Sequence, residues 1–493
     1  MAIETVAAPA AEVLSLGAKL DIWRKKIGFP LTAILFAAVL LMPLPEGLTV
    51  AGQRALALLV ALVTLYLTEP VELTVASIMV IPAAVFLGLA KTSQVLTSFA
   101  TSSIFLLVGA IIMSAAMEKT GLAERFTYYL LSKIGCSARH ITLGVTFANI
   151  VLAFMIPSTT ARTAILLPVC LGIISLYNQS NHLEEGQRSK FAVGLLLTLA
   201  FTNSTICAGI LTATTPNPIT IDYIRQASGV TISYVDWLIY GFPPSFVMTM
   251  VAWWFLRRTF KPENEEIPGG SEYILEKLKE KGRMSGAEWR TLFVFALVVT
   301  LWATGGITKL DTTVACFLGA SLLFVPKFGV IKWKDTNRDS AYHILMMSGG
   351  ALAMGNFLLQ TGAAKWLALR VLNSLGLVGA SSLVIVGILL FIIQFSRIGF
   401  FGTTGLTALY MPVVVAFAAA ADMPAISLAL PAGMLIGAFP FLMFYNTLSN
   451  ILVYGTGYLK VGDFPKAGGT LCLIGVVIYV ICAATYWRAL GLF

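Results

Sequence analysis

The chain is short of charge. Only 12% of its 493 residues are Asp, Glu, Lys or Arg, against 58% hydrophobic residues. Soluble domains carry about 25% charged residues. With half that share and a mean hydropathy of +0.86, most of the surface cannot face water. The apolar runs also lack period-two alternation, which argues against a β-barrel and for helices. Only three histidines are present, His140, His182 and His343, and they are scattered. The six cysteines, Cys136, Cys170, Cys207, Cys316, Cys472 and Cys482, show no CxxC spacing. These counts exclude zinc and haem motifs and suit small core residues. No nucleophile–base constellation stands out, so an enzyme is not expected.

What is present is a series of long apolar segments. A membrane span needs about 20 such residues, and the runs predict an all-α, polytopic membrane protein with about 11 spans. The net charge of +9 could suggest nucleic acid, but the basic residues crowd at the ends of apolar runs. That placement fits the positive-inside rule instead. Lys19, Arg24, Lys25 and Lys26 precede the first span and predict a cytoplasmic N-terminus. Residues 1–18 show no basic leader and no clear cleavage site, so no signal peptide is expected. Residues 257–290 form the longest polar stretch, read as a cytoplasmic linker with a short amphipathic helix near 271–282.

The chain repeats itself. Thr159-Thr160, Thr163-Ala164 and Pro168 recur as Thr403-Thr404, Thr407-Ala408 and Pro412, 244 positions on. Upstream, Gly109-Ala110 through Thr120-Gly121 matches Gly350-Ala351 through Thr361-Gly362. Downstream, Thr214-Thr215-Pro216-Asn217-Pro218 stands where Thr447-Leu448-Ser449-Asn450-Ile451 stands in the second half. Ordered matches of this kind mark duplicated transporter halves, often of inverted topology.

Each half holds two polar breaks within apolar surroundings. Ser158, Thr159 and Thr160 lie between 141–156 and 161–177; Gly402, Thr403 and Thr404 lie between 380–401 and 406–420. This pattern predicts two re-entrant helical hairpins with polar tips. The second kind of break, at Thr215-Pro216-Asn217 and at Ser449-Asn450, predicts broken helices. Proline removes a backbone donor, and half-helix N-termini suit a carboxylate. Irregular backbone at membrane depth is tolerated where it is buried or lines a cavity. Arg162 and Arg397 flank the two tips with few acids nearby. An intramembrane charge is a functional candidate, and a guanidinium fork matches a carboxylate. The other membrane charges read as interfacial. Asp222, Asp236, Asp311 and Asp463 are expected at helix ends, as caps or in loops.

From about residue 30 onward the chain resembles the divalent anion:sodium symporter family of dicarboxylate and citrate transporters. The resemblance rests on Ser158-Thr159-Thr160 and Gly402-Thr403-Thr404 at the tips. It rests also on Thr215-Pro216-Asn217, Leu448-Ser449-Asn450, the segment 455–461 and Asp463. It implies a homodimer in the cell membrane, working by an elevator mechanism with scaffold and transport domains. The segments would be a cytoplasmic N-terminal part (1–28), scaffold (29–135 and 291–378), transport domain (136–256 and 379–493) and linker (257–290). The substrate ligands implied are Ser158, Thr159, Thr160, Gly402, Thr403 and Thr404, with Thr215, Pro216, Asn217, Ser449 and Asn450.

The family's tip motif is Ser-Asn-Thr, and here Thr159 and Thr403 replace both asparagines. Those asparagines help form sodium sites, so a sodium cofactor is disfavoured. The pattern looks like the exchanger branch, with Arg162 and Arg397 supplying the charge that sodium supplies elsewhere. The expected activity is sodium-independent exchange of C4 and C5 dicarboxylates; the alternatives are a sodium-coupled symporter and an anion channel.

Overall fold

A computed structural model describes residues 7–493 except 136, 184–186, 378 and 401, with side chains from residue 22 onward other than 408. Cys136 and Phe401, at the edges of the two expected hairpins, thus lie outside the described residues. Among the described residues every regular element is helical. Ten helices among these residues are long and apolar enough to cross a membrane. Leu73–Phe86, Thr312–Leu322 and Ala425–Ala438 are apolar but shorter.

The repeat seen in the sequence is a repeat of elements. Helix Ser102–Thr120 turns at Gly121 into Leu122–Ile134, and Arg338–Gln360 turns at Gly362 into Ala363–Ser374. Both glycines take left-handed backbone, φ 74° and 76°, which a residue with a Cβ adopts only at a cost. Next comes a hairpin: Ala138–Met155 with Thr159–Ser180 in the first half, and Ser382–Ser396 with Thr404–Ala420 in the second. A broken helix follows. Lys190–Cys207 and Pro216–Ser228 make broken helix 1; Ala425–Ala438 and Leu448–Tyr454 make broken helix 2. Each half closes on a long helix, Tyr234–Thr259 or Asp463–Ala484.

Packing register shows that the halves run in opposite senses. The linker stitches to the base of hairpin 1, where Ala138 N donates to Glu265 O at 2.8 Å, and to the start of broken helix 1, where Lys190 N donates to Glu263 Oε1 at 2.6 Å. Lys190–Cys207 therefore runs from the linker face inward. Pro216–Ser228 continues away from that face. Broken helix 2 lies antiparallel to it, since Gly433 abuts Thr220 while Gly437 abuts Thr214. Ala425–Ala438 thus approaches the middle from the far side. Phe201 and Phe441 stack across the crossing with centroids 4.2 Å apart.

Small residues allow the two broken helices to approach. A Cβ on Gly433 would stand 2.0 Å from Thr220 Oγ1, which itself donates to Pro216 O. Overpacking of this kind costs about 1–3 kcal/mol. We expect Gly433→Ala to lower the melting temperature of the detergent-purified protein, read by intrinsic fluorescence, whereas Gly469→Ala, where a Cβ meets nothing, leaves it unchanged.

The linker holds the amphipathic helix expected near 271–282, here Gly270–Glu280. Arg125, from the helix after Gly121, donates to the carbonyls of Lys281 and Gly282 and pairs with Glu288 at 2.6 Å. Lys281 pairs with Glu124. Asp236 and Asp311 serve as helix-start caps, as expected from their positions. Asp222 does not: it lies inside Pro216–Ser228 and is fully buried.

Candidate functional site

The site is built where the hairpin tips meet the broken helices. At tip 1, Ser158 caps helix Thr159–Ser180, its Oγ accepting from Ala161 N at 3.2 Å. Asn203 holds the tip in place. Its Nδ2 donates to Thr159 O at 2.8 Å and to Thr163 Oγ1 at 2.9 Å. At tip 2, Gly402 takes φ 72°, so glycine suits the turn where a serine would be strained. Thr403 begins helix Thr404–Ala420 without a side-chain cap, which leaves first-turn N–H groups open to another acceptor. Asn446 anchors the approach to this tip, donating to Arg397 O at 3.1 Å and Phe400 O at 3.0 Å.

The breaks are held by matched asparagines. Asn217 Nδ2 donates to Cys207 O at 2.8 Å and Ile210 O at 2.9 Å. Asn450 Nδ2 donates to Pro440 O at 2.6 Å and Met443 O at 3.3 Å. Each therefore reaches back ten and seven residues. Both are buried, and each Oδ1 has no protein partner. Ser449 Oγ is likewise buried and unpartnered. Trp237 Nε1 donates to Ala208 O at 3.0 Å, and Gln394 Nε2 donates to Phe439 O at 2.8 Å. The carbonyls freed by breaking the helices thus find donors inside the protein, as buried backbone requires.

Arg162 and Arg397 are both fully buried. Arg162 Nε donates to Asn203 Oδ1 at 2.7 Å, Nη1 to Ile156 O, and Nη2 to Cys207 Sγ and Ala213 O. Cys207 is therefore more than the packing residue expected from its sequence context. Arg397 Nη2 donates to Leu435 O and Ile436 O, while its Nε and Nη1 have no partner. Arg162 meets the carboxyl-terminal end of Lys190–Cys207, and Arg397 that of Ala425–Ala438. A cation is stabilised there by the negative end of the helix dipole. The two arginines occupy equivalent places although the 244-residue offset pairs Arg162 with Leu406.

A cleft of about 550 Å³ runs from tip 1 toward the linker face. Ser158 and Thr160 line its deep end, with Leu448 from broken helix 2. Ile111, Ser114 and Glu118, then Ser340 and His343, line the opposite wall. Thr215 begins the second part of broken helix 1 with Pro216 as its first residue. Gly402, Thr403 and Thr404 do not line this cleft, although they are half-buried like Ser158, Thr159 and Thr160. Sequence reasoning did not single out Asn203, Asn446, Gln394 or Cys207. Asn446 stands beside the matched break, the one local signal that could have found it.

Among known structures, the chain superposes on a transporter from Alcanivorax borkumensis, YdaH, described as having an unusual topology. The TM-score is 0.51 at 12% identity, over 96% of this chain and 98% of that one. That likeness speaks to the fold alone. A membrane protein of Cupriavidus necator is 31% identical over 93% of this chain and 92% of its own length. The sodium-dependent dicarboxylate transporter SdcS of Staphylococcus saprophyticus is 27% identical over 92% of this chain and 90% of its own. The family profile described as the sodium:sulfate symporter transmembrane region matches residues 24–493. The chain belongs to that family, and it is a multi-pass membrane transporter rather than an enzyme.

Proposed function

We propose that this protein exchanges C4 and C5 dicarboxylates across the cell membrane without sodium, by an elevator motion of the hairpins and broken helices against the remaining helices. The observation that carries the reading is the placement of Arg162 and Arg397. Each guanidinium stands at a half-helix end where a bound cation would be stabilised. The open N-terminus at Thr404, the hydroxyls of Ser158, Thr159, Thr160 and Thr403, and the backbone at Gly402 supply donors for carboxylates. Thr215, Pro216 and Ser449 belong to the same layer. Arg162 spends its donors within the protein and acts as fixed charge. Arg397 keeps two donors free and is the arginine that receives the anion. The linker face is cytoplasmic, the cleft is the inward-open path, and the working unit is a homodimer. SdcS, a relative whose name specifies dicarboxylates, supports that substrate class.

The test is uptake of labelled succinate into proteoliposomes. Uptake should require internal dicarboxylate and ignore sodium. Strong sodium-driven uptake into empty vesicles would overturn the exchange reading. Removing a hydrogen bond to a charged group costs about 1.5–3 kcal/mol. We therefore expect Arg397→Ala to lower exchange about 10- to 150-fold while the protein stays folded. The second reading, sodium-coupled symport, is favoured by the unpartnered Oδ1 atoms of Asn217 and Asn450, which could ligate a cation.

A further inference from the structure

The far side of the molecule carries a buried carboxylate that the transport chemistry leaves unused. Asp222 sits mid-way along Pro216–Ser228 and is fully buried. Its Oδ2 accepts from Thr101 Oγ1 at 2.9 Å, and its Oδ1 from Ser103 Oγ at 2.9 Å. Arg225, one helical turn on, adds a bond to Oδ1 at 2.7 Å. Thr101 caps helix Ser102–Thr120, so the carboxylate also faces the positive end of that helix. The next residue, Tyr223, is fully buried and donates to Ala351 O at 3.0 Å. Gly355 makes room for it, since a Cβ there would stand 2.0 Å from the Tyr223 hydroxyl.

These bonds join broken helix 1 to two helices of the other unit, Ser102–Thr120 and Arg338–Gln360. Their position relative to the cleft is informative. Glu118, in the cleft wall, lies fifteen residues beyond Ser103 on one helix, or about 22 Å at 1.5 Å per residue. The cleft is open at one end of this helix while Asp222 clasps the other. A charge-assisted cluster of this kind is stronger than neutral hydrogen bonds. Sliding broken helix 1 along its neighbours would break it, because Thr101 and Ser103 do not travel with Asp222.

We infer that Asp222, with Thr101 and Ser103, is a latch that closes the side opposite the linker and holds the carrier with its cleft open. The inference rests on the two-unit motion proposed above. Asp222 is a positioning residue, touching no substrate, and it sets the balance between the two orientations of the site. A ligand or a mutation shifts such a balance only through its differential interaction with the two states. Loosening the latch therefore depopulates the cleft-open state specifically.

The experiment reads that population directly. Ser340 lines the cleft. Chains with and without Ser340→Cys are reconstituted, and the difference in their maleimide labelling measures exposure of the cleft. Asp222→Asn is expected to slow this labelling about tenfold. The pair Thr101→Ala with Ser103→Ala, which strips the partners and keeps the carboxylate, is expected to act in the same direction. Size-exclusion chromatography admits only folded variants, and either set suffices for the comparison. Unchanged labelling in the folded variants overturns the latch. A succinate control separates the two failures. If saturating succinate alters Ser340→Cys labelling in the parent chain while latch variants do not, the motion stands and the latch falls. If succinate also leaves labelling unchanged, the two-unit reading itself fails.

Discussion

Arg162→Ala is expected to abolish exchange and to lower the thermal stability of the purified protein. Four acceptors surround the guanidinium: Asn203 Oδ1, Ile156 O, Cys207 Sγ and Ala213 O. Removing the side chain leaves buried acceptors without donors, at about 1–3 kcal/mol for each group. Relief of the arginine's own desolvation works in the opposite direction. The acceptors win here, because two of them, Ile156 O before the tip and Ala213 O in the break, are backbone carbonyls that cannot turn away to water. Arg162→Lys keeps the charge but cannot span acceptors on both the hairpin and the broken helix, so it should fail almost as badly. Arg397→Ala differs, since that arginine meets only two carbonyls of one helix. Its loss should fall on transport more than on melting temperature. Proteoliposome counterflow and thermal unfolding of the same preparations check both statements. Normal rate and affinity in Arg162→Ala would sink the assignment of fixed charge.

The second large effect is expected at Asn217 and Asn450. Each amide holds two carbonyls of a break, so alanine at either position should cost about 2–4 kcal/mol and stop transport. Aspartate is the more telling substitution. It keeps the shape and an oxygen in the Oδ1 position but loses both N–H donors. If the residue works as a clamp on the break, Asn217→Asp inactivates as fully as Asn217→Ala. If its free oxygen binds a cation, the added charge preserves or strengthens sodium-dependent uptake. The expected result is inactivity with and without sodium, measured by succinate counterflow.

The parts of this molecule that were legible in its sequence are those where backbone departs from helix. A break in an apolar span needs residues that end a helix and others that satisfy what the break exposes. Thr159-Thr160, Thr403-Thr404, Pro216 and the paired Asn217 and Asn450 therefore stand out against Leu, Val and Ala. The repeat multiplied that signal. What remained hidden was partnership. Asn203 lies 41 residues from Arg162, and Asn446 lies 49 from Arg397. Nothing local marks Asn203 as the residue that would hold a tip, and Asn446 is marked only by standing beside the matched break. The two arginines were legible as charges beside the tips, but one follows its tip and the other precedes it, so that only folding brings them to matching helix ends. Asp222 was misread because Pro216, Pro218 and Gly229 crowd around it and suggest a chain end, while its partners Thr101 and Ser103 lie more than a hundred positions away.

Both guanidiniums belong to the hairpin and broken-helix unit, and that placement has an electrical consequence. Moving one elementary charge through the membrane field is worth about 2.3 kcal/mol per 100 mV. Under the proposed mechanism, a dianion bound between Arg162 and Arg397 brings two negative charges to two positive ones, and the loaded unit crosses as a neutral body. Voltage then neither drives nor opposes the swap. The direction of flux follows from the concentrations of the two anions alone, and a polarised membrane exchanges them without running down its potential.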